Sequence, residues 1–496
     1  MAIVAPIARR TGVLQVVSAI ASLKKVVDFE HACGGTIGLQ GNRFPRLAMI
    51  DIPLIRDCSA DAVFAYRDGP PTGVDEFLRD VAQLAALLPE RQYILNLCSD
   101  RYHFTVGFAA ALLRRQISLL PPNQTPDMIG QVNRRYPDVY CLTDAATGCG
   151  PLETVFYPRS AGQDPAVPPV PAIPAAQPAA IVFTSGSTGR PVQNHKSWGG
   201  LARSARAEGE RLGVQAQRGM AILGTVPPQH MYGLESTVLM IMQGGLALHA
   251  GRPFYPADIQ AALEALPRPR GLVTTPVHLR ALLAESGRLP PVDFLLCATA
   301  PLSPQLAAAA EARFSAPLHE IYGCTEAGQV ATRRTVETAE WRPLPGVMVR
   351  QDEKGTWVAG GHVETEVLLN DVIELRAGDR FLLHGRTADL VNIAGKRTSI
   401  ANLNYHLNSI EGVRDGVFVM PEEEDGAVTR LMAFVVAPGL TGETVTSALR
   451  QRIDAAFLPR PLCFVEALPR NAAGKLPRQL LDELVAGLAA RKGMAS

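Results

Sequence analysis

Residues 179–191 read AAIVFTSGSTGRP, an apolar run that breaks abruptly into hydroxyls and glycines. Residues 180–183 predict a short buried strand, because a brief apolar run closed by a turn signal is what an inner strand requires. The turn carries Thr184, Ser185, Ser187 and Thr188, interleaved with Gly186 and Gly189. Backbone amides exposed by glycine, together with a row of hydroxyls, suit the wrapping of phosphate oxygens. The GK[ST] ending of a Walker loop is missing. Taken alone, the segment also reads as a Gly/Ser surface turn.

The same grammar recurs on both sides. Residues 75–88, DEFLRDVAQLAALL, repeat apolar positions at helical spacing, and YILNLCSD from Tyr93 follows as a strand. A helix over 104–113 and a strand ISLLPP from Ile117 continue the alternation. GMAILGTVPPQH (219–230), RGLVTTPVHLRALL (270–283) and DFLLCATAPLSPQLAAAAEARF (293–314) are each a short apolar run followed by a turn or helix pattern. This alternation predicts an α/β fold of parallel sheets with flanking helices. Residues 158–180, rich in proline and alanine, are expected to form a loop holding neither ladder nor helix. From about Thr387 the pattern changes to a helix near 403–410, strands GVFVMP and LMAFVVAP, a helix over 447–457 and a strand CFVEAL, predicting a small separate α+β domain. No internal repeat is evident.

Composition bounds the function. The 496 residues exceed one core at roughly 150 residues per domain, so two to four units are expected. Lysine plus arginine number 48 against 47 acids, a net charge of +1, which supplies no field for nucleic acid or an anionic membrane. The eight cysteines are scattered, without a CxxC pair or zinc spacing, which favours a reducing cytoplasm. The apolar stretch 104–113 meets Arg114 and Arg115 before reaching the roughly 20 residues of a membrane span. Residues 1–48, broken by Arg9, Arg10, Lys24 and Lys25, read either as an amphipathic extension or as the product of an upstream start, with the domain opening at Met49.

Three further segments carry chemistry. In IYGCTEAG (321–328), Tyr322 could stack on a base and Glu326 could hold a magnesium ion, although a core tyrosine and a glutamate near a helix start would read the same way. In DVIELRAGDRFLLHGR (371–386), a glycine-bearing turn at 377–379 would fold Asp371 back onto Arg386. Such a pair suits a ribose diol, or is a surface salt bridge. LPRNAAGKLPRQLL (468–481) places Lys475 after a glycine in a polar turn, where lysine is ordinarily solvated.

In this order and spacing the four segments resemble the core motifs of the adenylate-forming superfamily, which includes acyl- and aryl-CoA ligases, peptide-synthetase adenylation domains and luciferases. The resemblance runs from about Met49 to about Val485. It implies a large N-terminal domain of sheets and a distorted barrel (49–386) and a small mobile C-terminal domain (387–496). It further implies that Thr184, Ser185, Gly186, Ser187, Thr188 and Gly189 form the phosphate loop, and that Tyr322, with Gly323 beside it, stacks on adenine. Thr325 would meet the α-phosphate, Glu326 the magnesium ion, and Asp371 with Arg386 the ribose. Lys475, His230 of PPQHMYGLE and Thr188 are the residues expected to act in catalysis.

Two positions depart from the family pattern. Val192 stands where a lysine usually follows the loop proline, with Arg190 before it and Lys196 four residues on. At the hinge, Ala388 replaces the common acid, with Asp389 next. LLPPNQTPD, TSGSTGRPVQNHKSW and GKRTSIANLN resemble ligases of bacterial aryl-polyene and xanthomonadin-type pigment clusters. The implied reaction is ATP- and Mg2+-dependent activation of a small aromatic carboxylic acid as acyl-AMP, then transfer to the thiol of CoA or of a phosphopantetheine-bearing acyl carrier protein. Thr274, Thr275, Ala298 and Ala300 are candidate pocket positions. A non-catalytic nucleotide-binding protein of the same fold and an adenylating ligase with a non-thiol acceptor stand as alternatives.

Overall fold

The computed structural model describes residues 50–493 apart from 57–58, 60, 159–165, 185–191, 215–216, 387–389, 394–395, 421–430 and 471–475. A six-stranded sheet runs in the order Val192–Ser197, Pro178–Thr184, Ile117–Leu120, Tyr93–Asn96, Val139–Thr143, Thr154–Phe156. Only its first pair is antiparallel. A nine-stranded sheet has at its centre the parallel run Leu318–Cys324, Phe294–Cys297, Arg270–Thr274, Ala221–Gly224, Ala247–His249 and Val63–Tyr66, with antiparallel strands on both edges. Strands covered on both faces must be apolar throughout, which is why these segments read as unbroken apolar runs.

The helix Arg101–Leu113 is buried along nearly its whole length and packs against strands of both sheets. Lacking a solvent face, it needs no polar stripe. Its single charged residue, Arg101, is fully buried and donates to the carbonyls of Gly224 (2.8 Å) and Val226 (2.9 Å) and to the Thr237 hydroxyl. Burial draws the guanidinium pKa down to about 9. Arg101 thus satisfies backbone acceptors where the chain leaves the sheet toward His230, groups that would be costly to bury unpaired.

A three-stranded sheet, Met348–Asp352, Gly355–Gly360 and Val363–Leu369, and the hairpin Asp371–Arg376 with Arg380–Arg386 complete the larger domain. Beyond residue 390 the chain forms its own core, including Leu403, Leu407, Phe418, Val435 and Leu449, around the sheet Asp415–Val419, Met432–Val436 and Leu462–Phe464. The architecture is therefore α/β, with a large N-terminal domain and a small α+β C-terminal one.

Several expectations are corrected. Within 158–180, Ala172–Pro174 pairs antiparallel with Asp51–Pro53, and Pro178 already opens the strand to Thr184. These prolines sit at strand ends, where a missing N–H is tolerated. The helix expected over 447–457 spans Gly442–Arg450, because the Thr441 side chain caps it by accepting from the Thr444 amide; a 3-10 turn, Ala455–Phe457, follows separately behind Asp454. The helix Arg478–Gly493 is additional to the elements expected above; Leu481, Leu484, Val485 and Leu488 fall at helical spacing, and the first three pack on the C-terminal sheet. Cys141 and Cys149, two of the scattered cysteines read as favouring a reducing compartment, are joined as a disulfide. They meet because the loop between Val139–Thr143 and Thr154–Phe156 turns back, and an eight-residue separation carries no pairing signal in sequence. No helix among the described residues is long and apolar enough to cross a membrane.

After His230 the chain turns into the helix Met231–Leu234, where a Cβ on Gly233 would lie 1.9 Å from the Pro227 carbonyl oxygen. Backbone cannot swing aside as a flexible side chain does. Gly233→Ala is expected to destabilise the protein by about 1–3 kcal/mol, read as an earlier urea midpoint, and an unchanged midpoint would refute this contact.

Candidate active site

The strand Leu318–Cys324 turns through 325–327 into Gly328–Arg333. The turn is not the helix start that a lone glutamate suggested. Two glycines make it possible. Gly328 adopts φ +80°, and a Cβ on Gly323 would stand 2.4 Å from the Gly328 carbonyl oxygen. A three-residue connection with a positive-φ glycine is a favoured hairpin geometry. It leaves Glu326 exposed at the tip and Thr325 half-buried beside it.

Tyr322 lies just inside, buried against Trp341 and Phe381. Its hydroxyl donates to Asp371 Oδ2 at 2.8 Å. Asp371 is in turn the register partner of Arg386 across the hairpin, as the sequence expected. Thr184 ends its strand half-buried, opposite Val192. Ser185, Gly186, Ser187, Thr188 and Gly189 lie outside the described residues, as does Lys475. Arg470, five residues before Lys475, forms a two-point bond with Asp415 (2.7 and 2.8 Å), and both charges act on Arg280 of the helix Pro276–Ala284 in the larger domain.

His230 occupies the N-cap position of Met231–Leu234, and its carbonyl accepts from the Leu234 amide at 2.7 Å. Around it open the carboxyl ends of the parallel strands, where open α/β sheets bind ligands. Thr225 and Thr274 share a hydrogen bond of 3.0 Å, and Thr225 and Thr275 both reach His278 Nδ1, at 3.3 and 2.9 Å. His278 Nε2 is buried without a hydrogen-bond partner among the described residues, and burial lowers its pKa to about 4. Tyr232 bonds the carbonyls of Thr274 and Leu296, tying the helix to the strand ends. Ala298 is buried and Ala300 half-buried, and Thr299 between them holds φ 84°. A β-branched residue there stores about 1–3 kcal/mol, strain that folds retain mainly at ligand sites.

Beneath the hairpin lie ionisable groups that nothing in the sequence singles out. Glu235, in a π-helical turn Glu235–Leu239, accepts from the Ser204 hydroxyl at 2.8 Å, and burial pushes its pKa to about 7. Glu208 accepts from Ser236 at 2.6 Å, and Ser236 accepts from Gln329 Nε2 at 3.0 Å; burial, reinforced by Glu235, pushes Glu208 to about 8. Lys196 Nζ donates to the Glu326 carbonyl oxygen at 2.8 Å. In sequence, Glu235 is a lone acid in an apolar run, and only its position behind Gly328 reveals it.

The described structure thus gathers Tyr322, Gly323, Thr325, Glu326, Asp371 and the Arg386 backbone into one place, with the strand that follows the Ser/Thr-Gly segment linked to it through Lys196. The family model for AMP-binding enzymes matches residues 83–362, more than half of the chain. The chain belongs to the AMP-binding enzyme family. This AMP-binding enzyme is 29% identical over 300 residues to a 4-coumarate–CoA ligase of Rhodobacter capsulatus, covering 60% of this chain and 74% of the relative. Its fold is that of the o-succinylbenzoate CoA synthetase of Bacillus subtilis in complex with an acyl-adenylate intermediate, at TM-score 0.72 and 18% identity over 87% of this chain and 98% of the other. The same synthetase in complex with ATP and magnesium ion superposes at TM-score 0.70, with 19% identity over 85% and 97%.

The buried acids make stability depend on pH. A carboxyl whose pKa rises on folding stabilises the fold fully below its unfolded value, near 4.5 for Glu208, and loses that contribution as pH rises through about 8. The urea midpoint is therefore expected to fall from pH 5 to pH 8. Glu208→Gln, neutral throughout, should flatten the decline, and an identical slope in the variant would show that Glu208 does not hold its proton.

Proposed function

We propose that this AMP-binding enzyme activates a small aromatic carboxylic acid with ATP, releases pyrophosphate, and passes the acyl group from acyl-AMP to the thiol of CoA or of an acyl carrier protein. One observation carries the reading. Tyr322 and the Asp371–Arg386 pair, far apart in sequence, are joined by a direct hydrogen bond beside the Thr325–Glu326 turn. A planar ring, a carboxylate whose register partner is an arginine, a hydroxyl and an exposed carboxylate are the groups that an adenine, a ribose, an α-phosphate and a metal would require.

The donor set suits a hard cation. Glu326 offers exposed carboxylate oxygen beside the Thr325 hydroxyl, and among the described residues no group of three or more His, Cys, Asp or Glu could hold a metal by itself. A magnesium ion at Glu326 would take its other ligands from phosphate and water and supply neutralisation of phosphate charge. We assign residues 184–189 to the phosphates, and His230 and the strand ends around Thr274, Thr275, Ala298 and Ala300 to the acid. The aromatic preference is supported by the 4-coumarate–CoA ligase relative.

In the first step the substrate carboxylate attacks the α-phosphorus in line and pyrophosphate leaves. Lys475 and Thr188 balance the charge that develops on the transferring group. Residues 387–496 then turn about Ala388 and Asp389, withdraw Lys475, and let a pantetheine thiol attack the acyl carbonyl. AMP leaves as the thioester forms. ATP and such thiols occur together in the cytoplasm, where we place the enzyme.

Lys475→Ala is expected to slow acid-dependent pyrophosphate exchange by about 10²–10³ while sparing thioester formation from supplied acyl-AMP. Equal loss in both half-reactions would refute the assignment. Tyr322→Phe removes the bond that orients Asp371 but keeps the ring. It should raise KM for ATP about five-fold, a loss of about 1 kcal/mol, with kcat little changed. An unchanged KM would separate Asp371 from the nucleotide.

A further inference from the structure

Lys196 belongs to the strand Val192–Ser197, which emerges directly from the 185–191 segment. Its side chain turns inward. Nζ reaches the main-chain carbonyl of Glu326, 130 residues away, at 2.8 Å. Around it stand Glu235, Cys324, Glu326 and Glu364; burial lowers its pKa, and Glu235 supplies the largest opposing charge. This half-buried lysine keeps its charge because acids surround it and a carbonyl accepts a hydrogen bond from it.

The turn that Lys196 touches is held at its base by Cys324, which bonds Ala327 and the Glu326 side chain, and by the buried Ala327. Residues 325–327 are three, and the Glu326 side chain is exposed. Behind the turn, Gly328 is wedged between the Glu235 carboxylate and the His362 ring: an added Cβ would meet Glu235 Oε1 at 3.0 Å and His362 Nε2 at 3.6 Å. That wedge fixes the C-terminal foot of the turn. The bond from Lys196 fixes its tip. The strand Val192–Ser197 that carries Lys196 follows directly in sequence on residues 185–191 and pairs with Pro178–Thr184, so the bond ties that strand to the turn.

We propose that Lys196 is a positioning residue: its hydrogen bond to the Glu326 carbonyl couples the strand after the phosphate loop to the turn presenting the Thr325 hydroxyl and the Glu326 carboxylate, so that triphosphate and metal are gripped in register. The proposal rests on the ligase reading above. It concerns the metal-bearing triphosphate more than the nucleoside, because Tyr322 and Asp371 are held by a bond of their own. Lys196→Met keeps the length of the stem but loses the donor and the charge. Lys196→Arg keeps both.

Calorimetric titration of the full chain with ATP at saturating Mg2+, and separately with AMP, tests it. Lys196→Met is expected to weaken MgATP binding by about ten-fold while changing AMP binding less than about three-fold, and to raise KM for MgATP with little change in kcat. Lys196→Arg should return MgATP affinity to within about three-fold of the wild type. Equal weakening of MgATP and AMP in Lys196→Met, or no rescue by arginine, would reveal general structural damage and overturn the proposal. A Lys196→Met protein indistinguishable from an active wild type overturns it alone. A wild type that binds no ATP overturns the ligase reading itself, and the proposal with it.

Discussion

The hydrogen bond from Tyr322 to Asp371 joins two hairpins whose relative placement determines the geometry of the whole site. The tyrosine ring is buried against Trp341 and Phe381, so its hydroxyl must find an acceptor or leave a polar atom stranded. Asp371 meets that need and, through the antiparallel register of its own hairpin, brings Arg386 opposite. The tyrosine ring and the Asp371–Arg386 register are thereby set at a fixed separation. Thr325 and Glu326 follow within four residues of Tyr322, at a turn whose shape Gly323 and Gly328 impose.

The site concentrates features that a fold selected only for stability would shed. Thr299 holds a positive φ, His278 buries a nitrogen unpartnered among the described residues, and Glu208 and Glu235 are carboxyls deep in the protein. Arg101 is a buried cation. Each costs free energy, offset by cores such as those around Phe64, Tyr102 and Phe108 or Leu272, Leu295 and Phe314. These groups lie at the carboxyl ends of the parallel strands or just behind the 318–333 hairpin. That distribution accords with a site whose groups are held in place before substrate arrives.

How a local pattern reads depends on whether the forces behind it are local. The alternation of strand and helix from Val74 to Phe314 was legible because strands sealed on both faces are apolar residue after residue. Asp371 opposite Arg386 was legible too, since a glycine-bearing turn at fixed distance sets a register. Boundaries were less so: the helix from Gly442 is decided by the Thr441 cap, and the strand Ala172–Pro174 by a partner strand more than a hundred residues away. The disulfide between Cys141 and Cys149 likewise depends on a loop turning back within one buried cluster.

By itself, then, the sequence determined the α/β class, the order of the motifs and the residue types able to meet a nucleotide. These follow from hydrophobic period, turn chemistry and side-chain function, all of which act over a few residues. Only the tertiary structure decided that Lys196 reaches Glu326, that Glu235 stands behind Gly328, and that Tyr322 donates to Asp371. Those contacts join positions from 49 to 130 residues apart, or press a side chain onto a distant backbone. Their energies come from desolvation and charge in a buried space that exists only once the sheets have closed around it.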